Sequence, residues 1–175
     1  MWVGDLDAAA RRPQHGAVAS LLTRRPLDLV LVVFFALSAL YGFAFSIPEG
    51  LEMAPISADS PYPPFRALHG WAAEVEPAHL DPPPSMVARS LLDGFVHSPF
   101  LLVLVYALIR GRRWIRIPAL LYAASAVTNM LLYFHETFWG PHPPLDYAVY
   151  IPFNLPWLIA PLLLAYRMRR VDPFA

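Results

Sequence analysis

The sequence predicts an all-α integral membrane protein of four transmembrane helices, and three observations carry that prediction. Hydrophobic residues make up 57% of the 175 residues and charged residues only 15%, where a soluble domain averages about 25% charged. Mean hydropathy is +0.45. Four stretches also approach the ~20 apolar residues that cross a bilayer core of about 30 Å.

The first stretch, Leu29 to Ile47, has no charge and follows Arg24-Arg25-Pro26. Its apolar run exceeds the usual h-region of a signal peptide and lies behind a charged leader, which argues against cleavage. The second, Ser90 to Ile109, contains one acid, Asp93, and one histidine, His97. Ile117 to Phe134 opens with Pro118, a residue suited to a first helical turn. Tyr147 to Tyr166 ends at Arg167, Arg169 and Arg170. Domain limits follow: a cytoplasmic leader over 1–25, a four-helix membrane domain over 27–170 and a tail over 171–175.

Arginine placement orients the bundle. Arg11, Arg12, Arg24 and Arg25 precede the first span, Arg110, Arg112, Arg113 and Arg116 fill the short turn between the second and third, and three more follow the fourth span. The connections 48–89 and 135–146 hold only Arg66 and Arg89 beside eight acids. The positive-inside rule then puts both termini in the cytoplasm. A structureless connection as long as 48–89 is improbable. Within it, Phe65 to Val75 reads as an amphipathic helix with Phe65, Leu68, Trp71 and Ala72 on one stripe. It would serve as a lid over the outer ends of the bundle, or as an interfacial anchor.

Composition also excludes functions. Zero net charge and a pI of about 7.0 offer nucleic acid no basic surface. The absence of cysteine removes disulfides, thiolate metal sites and cysteine nucleophiles. The histidines lack the spacing of a zinc site, so no metal or other cofactor is expected. No G-x-S-x-G is present and no Ser-His-Asp set is evident within the spans, which disfavours a hydrolase.

An acid inside a bilayer costs roughly 2.5–3.5 kcal/mol even on lenient insertion scales, so such residues are functional candidates. Asp93 is placed about one turn inside its span, ~5 Å deep at the rise of a helix, with His97 on the same face. Glu49 closes the first span in Pro48-Glu49-Gly50. Asn154 and Asn129 carry amides that need partners, and helix–helix hydrogen bonds are the bland account of both. Pro99 in the second span and Pro152, Pro156 and Pro161 in the fourth free carbonyls and open space between helices. Phe43, Phe45, Phe95, Tyr133, Tyr150, Phe153 and Trp157 are expected around that space. An aromatic cavity with acids at its rim suits a flat hydrophobic ligand, including one that is or becomes cationic.

Several segments together resemble the EXPERA superfamily. They are Pro48-Glu49-Gly50, Phe65-Arg66 with Trp71, Glu76-Pro77, an acid six residues before Pro99, Arg113-Trp114-Ile115-Arg116-Ile117-Pro118-Ala119, and Asn154-Leu155-Pro156-Trp157. The superfamily contains the emopamil-binding sterol double-bond isomerase and the sigma-2 receptor, and the turn and helix layout is most similar to the latter. The resemblance implies that Glu49 and Asp93 are carboxylates that meet a basic nitrogen in amine ligands, or handle a proton and a carbocation in an isomerase. It implies that Asn154 and Trp157 line a sterol cavity and that Glu76 is a structural acid of the outer loop. The isomerase histidine one turn before the first acid is replaced here by Phe45, and His97 is the candidate substitute.

The expected catalytic residues are therefore Asp93, Glu49 and His97. The expected ligand contacts are Glu49, Asp93, Asn154, Trp157, Phe45, Phe95, Tyr150 and Phe153. Three functions remain open: a pocket for a sterol or isoprenoid lipid that also takes cationic amphiphiles, a protonating isomerase or cyclase, and a structural membrane partner. The resemblance leaves room for a homodimer. It implies the endoplasmic reticulum in a eukaryote, while the arginine-only basic set suggests a bacterial inner membrane.

Overall fold

A computed structural model describes residues 25–174. Residues 1–24, most of the expected leader including Arg11, Arg12 and Arg24, lie outside the described residues, as does Ala175. Four helical spans, Pro26–Gly50, Pro84–Arg110, Arg113–Trp139 and Tyr147–Met168, are long and apolar enough to cross a membrane. This is an integral membrane protein.

The first span is α1 (Pro26–Tyr41), a π-helical segment (Gly42–Ser46) and α2 (Ile47–Gly50). The connection carries α3 (Pro63–Glu74) and a short 3₁₀ turn (Pro77–His79). The second span repeats the plan of the first: α4 (Pro84–Leu92), a π segment (Asp93–His97) and α5 (Ser98–Arg110). A 3₁₀ turn (Arg113–Ile115) leads into α6 (Arg116–Trp139), and α7 (Tyr147–Met168) completes the bundle.

Both π segments precede a proline, Pro48 and Pro99, that supplies no amide hydrogen. The ladder is kept by amides reaching five residues back, Ile47 to Gly42 and Ser98 to Asp93. Pro48 leaves the carbonyl of Ala44 without its usual donor, and the Tyr62 hydroxyl takes it at 2.8 Å. The connection is thereby pinned to the first span.

The two π segments cross at close range because glycine stands in each. A Cβ on Gly42 would lie 1.7 Å from Ser98 Oγ, and one on Gly94 would lie 2.4 Å from Ile47 Cγ1. Gly50 is as tight, 2.9 Å from the Leu91 backbone nitrogen. Gly50→Ala is therefore expected to lose about 1–3 kcal/mol by overpacking. Gly70→Ala, with nothing within 4 Å of the added methyl, should gain up to ~1 kcal/mol from helix propensity. Thermal unfolding of the two purified variants checks the contrast, and equal midpoints would refute the close crossing.

Below the crossing, α1 packs on α5 and α6 on α7. Phe35, Leu104 and Leu164 fill the core, with Ala39, Ala107, Ala119, Ala123 and Ala160 between them. Small side chains let helix backbones approach where lipid gives no hydrophobic drive to associate. The outward positions, such as Leu37, Leu121 and Leu132, are apolar and exposed, as a lipid-facing surface requires.

The end of the bundle nearest the Gly111 turn is closed by arginines acting on backbone carbonyls. Gly111 adopts φ +60° and accommodates the left-handed stop of α5. Arg25 reaches the carbonyl of Leu108 at 3.4 Å, and Arg116 reaches those of Met168 at 3.1 Å and Arg170 at 2.8 Å. Asp28 is fully buried and is held by the Arg167 fork at 2.6 and 3.0 Å, with Arg25 at 3.4 Å. At the opposite end, Asp146 caps α7 by accepting from the amides of Ala148 and Val149.

Candidate functional site

A cavity of about 340 Å³ lies where the two π segments face α6, α7 and α3. Its apolar wall includes Phe34, Tyr41, Phe45, Tyr122, Phe153 and Trp157. Edge-on and stacked contacts hold these rings: Tyr41 stacks on Phe45 at 4.8 Å, and Trp157 meets Phe34 at 5.4 Å. Leu68 and Trp71 of α3 add to the wall from the connection, with Trp71 and Phe153 at 4.2 Å.

The polar residues enter from all four spans and from the connection between the first two. Asp93 starts the π segment of the second span. This span begins at Pro84 rather than Ser90, so the nine residues of α4 precede Asp93 and place it about 14 Å along the helix instead of one turn. Oδ1 of Asp93 accepts from Asn129 Nδ2 at 2.9 Å and lies 2.7 Å from His97 Nδ1. Two partners share one oxygen, and Oδ2 has no donor among the described residues, on a side chain 41% exposed at the cavity. His97 Nε2 in turn lies 2.9 Å from Ser125 Oγ. With a carboxylate at Nδ1, the neutral ring carries its proton there, and Nε2 accepts from the serine hydroxyl.

Ser125, His97 and Asp93 thus do form a hydrogen-bonded set within the spans, contrary to the sequence expectation. The serine comes from the third span, and only folding brings it beside His97. It is absent from the cavity wall, so it holds the imidazole from behind rather than facing a ligand.

Glu49 sits in α2 and is buried. Its Oε1 lies 2.6 Å from Nδ1 of His79, and its Oε2 accepts from Ser90 at 2.8 Å. His79 Nε2 lies 3.6 Å from Oε2 of Glu76, which accepts from the Trp71 indole at 3.0 Å. Burial disfavours charge on His79, but the Glu49 and Glu76 carboxylates outweigh it and push the imidazole up to about 10. Glu49 therefore faces a buried imidazolium and is matched before any ligand arrives. His79 was invisible as a site residue because it lies in a polar, proline-rich connection where a histidine is unexceptional.

The structure brings together Glu49, Asp93, His97, Phe45, Phe153, Asn154 and Trp157 around one cavity. Three residues expected there lie elsewhere. Phe95 is half-exposed on the outside, because it stands two residues from both Asp93 and His97 and so turns to the opposite helix face. Tyr150 is fully buried but packs behind the wall, 6.3 Å from the Tyr133 ring. Phe43 is likewise absent from the wall. Asn154 bonds back to the Tyr150 carbonyl of its own helix at 3.1 Å instead of crossing to another. Asn129 makes the interhelical bond, and it makes it to Asp93.

The EXPERA (expanded EBP superfamily) family model matches residues 72–168, more than half of the chain. This stretch includes His79, Asp93, His97, Asn129, Asn154 and Trp157. Sigma intracellular receptor 2 of Xenopus tropicalis is 30% identical over 113 residues, which cover 58% of this chain and 66% of the relative. The match thus spans just under two thirds of that relative's length. On the family match, the chain belongs to the EXPERA superfamily.

Proposed function

We propose that this chain binds a sterol- or isoprenoid-type lipid within the membrane, in the aromatic cavity beside Asp93. The observation that carries the reading is the Asp93 carboxylate, one oxygen of which has no donor among the described residues, lining a largely apolar cavity of about 340 Å³. An apolar, largely pre-formed space with few convergent polar groups is the usual form of a small-molecule site. Family membership and the similarity to a sigma receptor support it. For a cationic amphiphile the counter-ion would be Asp93, since Glu49 and Glu76 both flank the His79 imidazole. The arginine-rich end, with Arg110, Arg113, Arg116 and Arg167, is read as cytoplasmic.

A second reading rests on a different observation: two carboxylate–imidazole pairs, Glu49–His79 and Asp93–His97, face the same cavity. An acid that protonates an alkene carbon generates a carbocation, which the aromatic walls and the other carboxylate stabilise. The second pair then removes a proton from a neighbouring carbon, and the double bond has moved with no net oxidation.

Mass spectrometry of lipids that co-purify with wild type and with Asp93→Asn, both from the native host, separates the readings. One lipid enriched on both proteins, with no isomer building up, is the expected result for binding. Accumulation of its double-bond isomer only in the mutant's host would make the chain an isomerase. If neither protein carries a specific lipid, the cavity reading is wrong.

A further inference from the structure

The end of the bundle nearest the Gly111 turn carries more positive charge than its internal contacts use. Among the described residues it holds eight arginines beside two acids, Asp28 and Asp172. Asp28 is taken by Arg167, with Arg25 turned to it as well. Asp172 meets Arg113 at 2.5 Å, on an arginine side chain 71% exposed. An exposed pair of this kind is worth little, so Arg113 is able to exchange partners. None of these arginines lines the cavity.

The surplus is gathered where α6 begins and α7 ends. Arg116 Nε donates to the carbonyls of Met168 and Arg170, which fixes the two helix ends together. Its Nη groups make no hydrogen bond among the described residues. Arg170 is exposed and has no ion pair among the described residues. Below the guanidiniums the surface turns apolar. Spacing of four residues puts Ile117 and Leu121 on one stripe of α6, and Leu162 and Tyr166 on the α7 stripe that ends at Arg170. All four are exposed.

Guanidinium forks match the oxygens of a phosphate, and several can share one. A free anion would use the forks and leave the apolar stripes bare. A phospholipid uses both, with its phosphate at the arginines and its acyl chains along the stripes. A choline head brings its own cation to a surface already positive, whereas a glycerol head leaves the phosphate charge uncompensated.

We propose that Arg113, Arg116 and Arg170 seat the phosphate of an anionic phospholipid from the surrounding leaflet, in competition with Asp172. The site is separate from the cavity and stands or falls without it. Arg110 supplies the contrast with diffuse attraction. It carries the same charge and is exposed, but it ends α5, over the Tyr106 ring at 6.0 Å.

Native mass spectrometry of the full-length protein, titrated with dioleoyl phosphatidylglycerol or dioleoyl phosphatidylcholine, reads the lipid retained. Wild type is expected to hold the phosphatidylglycerol about tenfold more tightly than the phosphatidylcholine. Arg113→Gln and Arg170→Gln are each expected to weaken phosphatidylglycerol about fivefold. Arg110→Gln should move it less than about twofold, its charge being screened at that distance. Asp172→Asn is expected to tighten it, because the internal competitor is gone. None of the four side chains belongs to the buried core. Equal retention of the two lipids overturns the proposal. So does an Arg110→Gln loss as large as that of Arg170→Gln, which would reduce the effect to diffuse charge. Release of the lipid by millimolar inorganic phosphate would make this a free-anion site and overturn the lipid assignment.

Discussion

Alanine at Asp28 is expected to cost the chain about 3–5 kcal/mol of folding stability. The carboxylate is fully buried, and the Arg167 guanidinium grips it with both Nε and Nη2. Arg167 also donates to the carbonyl of Pro173 and lies against the Phe174 ring, so it cannot turn freely to water. Removing the acid leaves a partly buried guanidinium without its counter-charge, and the damage comes from that orphan more than from the lost attraction. A double replacement, Asp28→Ala with Arg167→Met, should therefore be milder than Asp28→Ala alone. Thermal unfolding of the four proteins of the double-mutant cycle tests this, with a coupling of at least ~1 kcal/mol expected. Additive losses would show that the pair is incidental.

His79→Ala is expected to be nearly as costly, at about 3 kcal/mol, because among the described residues Glu49 would keep hydrogen bonding to Ser90 alone in a buried site. The variant should also change the pH dependence of stability. His79 has an ordinary value of 6.5 and is pushed up to about 10 in the folded chain. The folded state therefore holds a proton that the unfolded state has released, and stability falls as pH rises between those values. The contribution is complete below about 6.5 and gone above about 10. Unfolding midpoints of the wild type measured from pH 6 to 10 should decline by the equivalent of a few kcal/mol. His79→Ala should start lower and stay nearly flat over the same range. A parallel decline in both proteins would assign the effect to another group.

The membrane spans were legible because hydropathy is a local property of composition, and Asp93 and Glu49 stood out because acids are anomalous beside apolar runs. Their partners were hidden for the opposite reason. His79 lies 30 positions from Glu49, Asn129 lies 36 from Asp93, and Ser125 lies 28 from His97. Nothing in the chain marks such pairings before the helices dock. Asp28 was overlooked because an acid among arginines at a helix start looks like ordinary surface charge. Phe95 was misplaced by a cause that was legible: residues two apart on a helix cannot share a face with Asp93 and His97. The π segments left a trace too, a glycine followed within one or two turns by a proline, at Gly42 and Pro48 and again at Gly94 and Pro99.

Those two segments give chain length a meaning here that it lacks elsewhere in the spans. Each holds one more residue in a turn than an α-helix would, so losing a single residue between Gly94 and Pro99 need not break the helix. It would let the segment anneal to a regular α-helix with the flanking stretches close to their present alignment, because the wide turn already absorbs the extra residue. What would go is the wide turn itself, and with it the placement of Asp93, Gly94 and His97 relative to one another at the crossing, although composition and hydropathy would scarcely change. An apolar span tolerates such gaps where its only task is to cross the bilayer. Across these two stretches, homologues are expected to keep their residue count even where they exchange every side chain but the glycines and the acid.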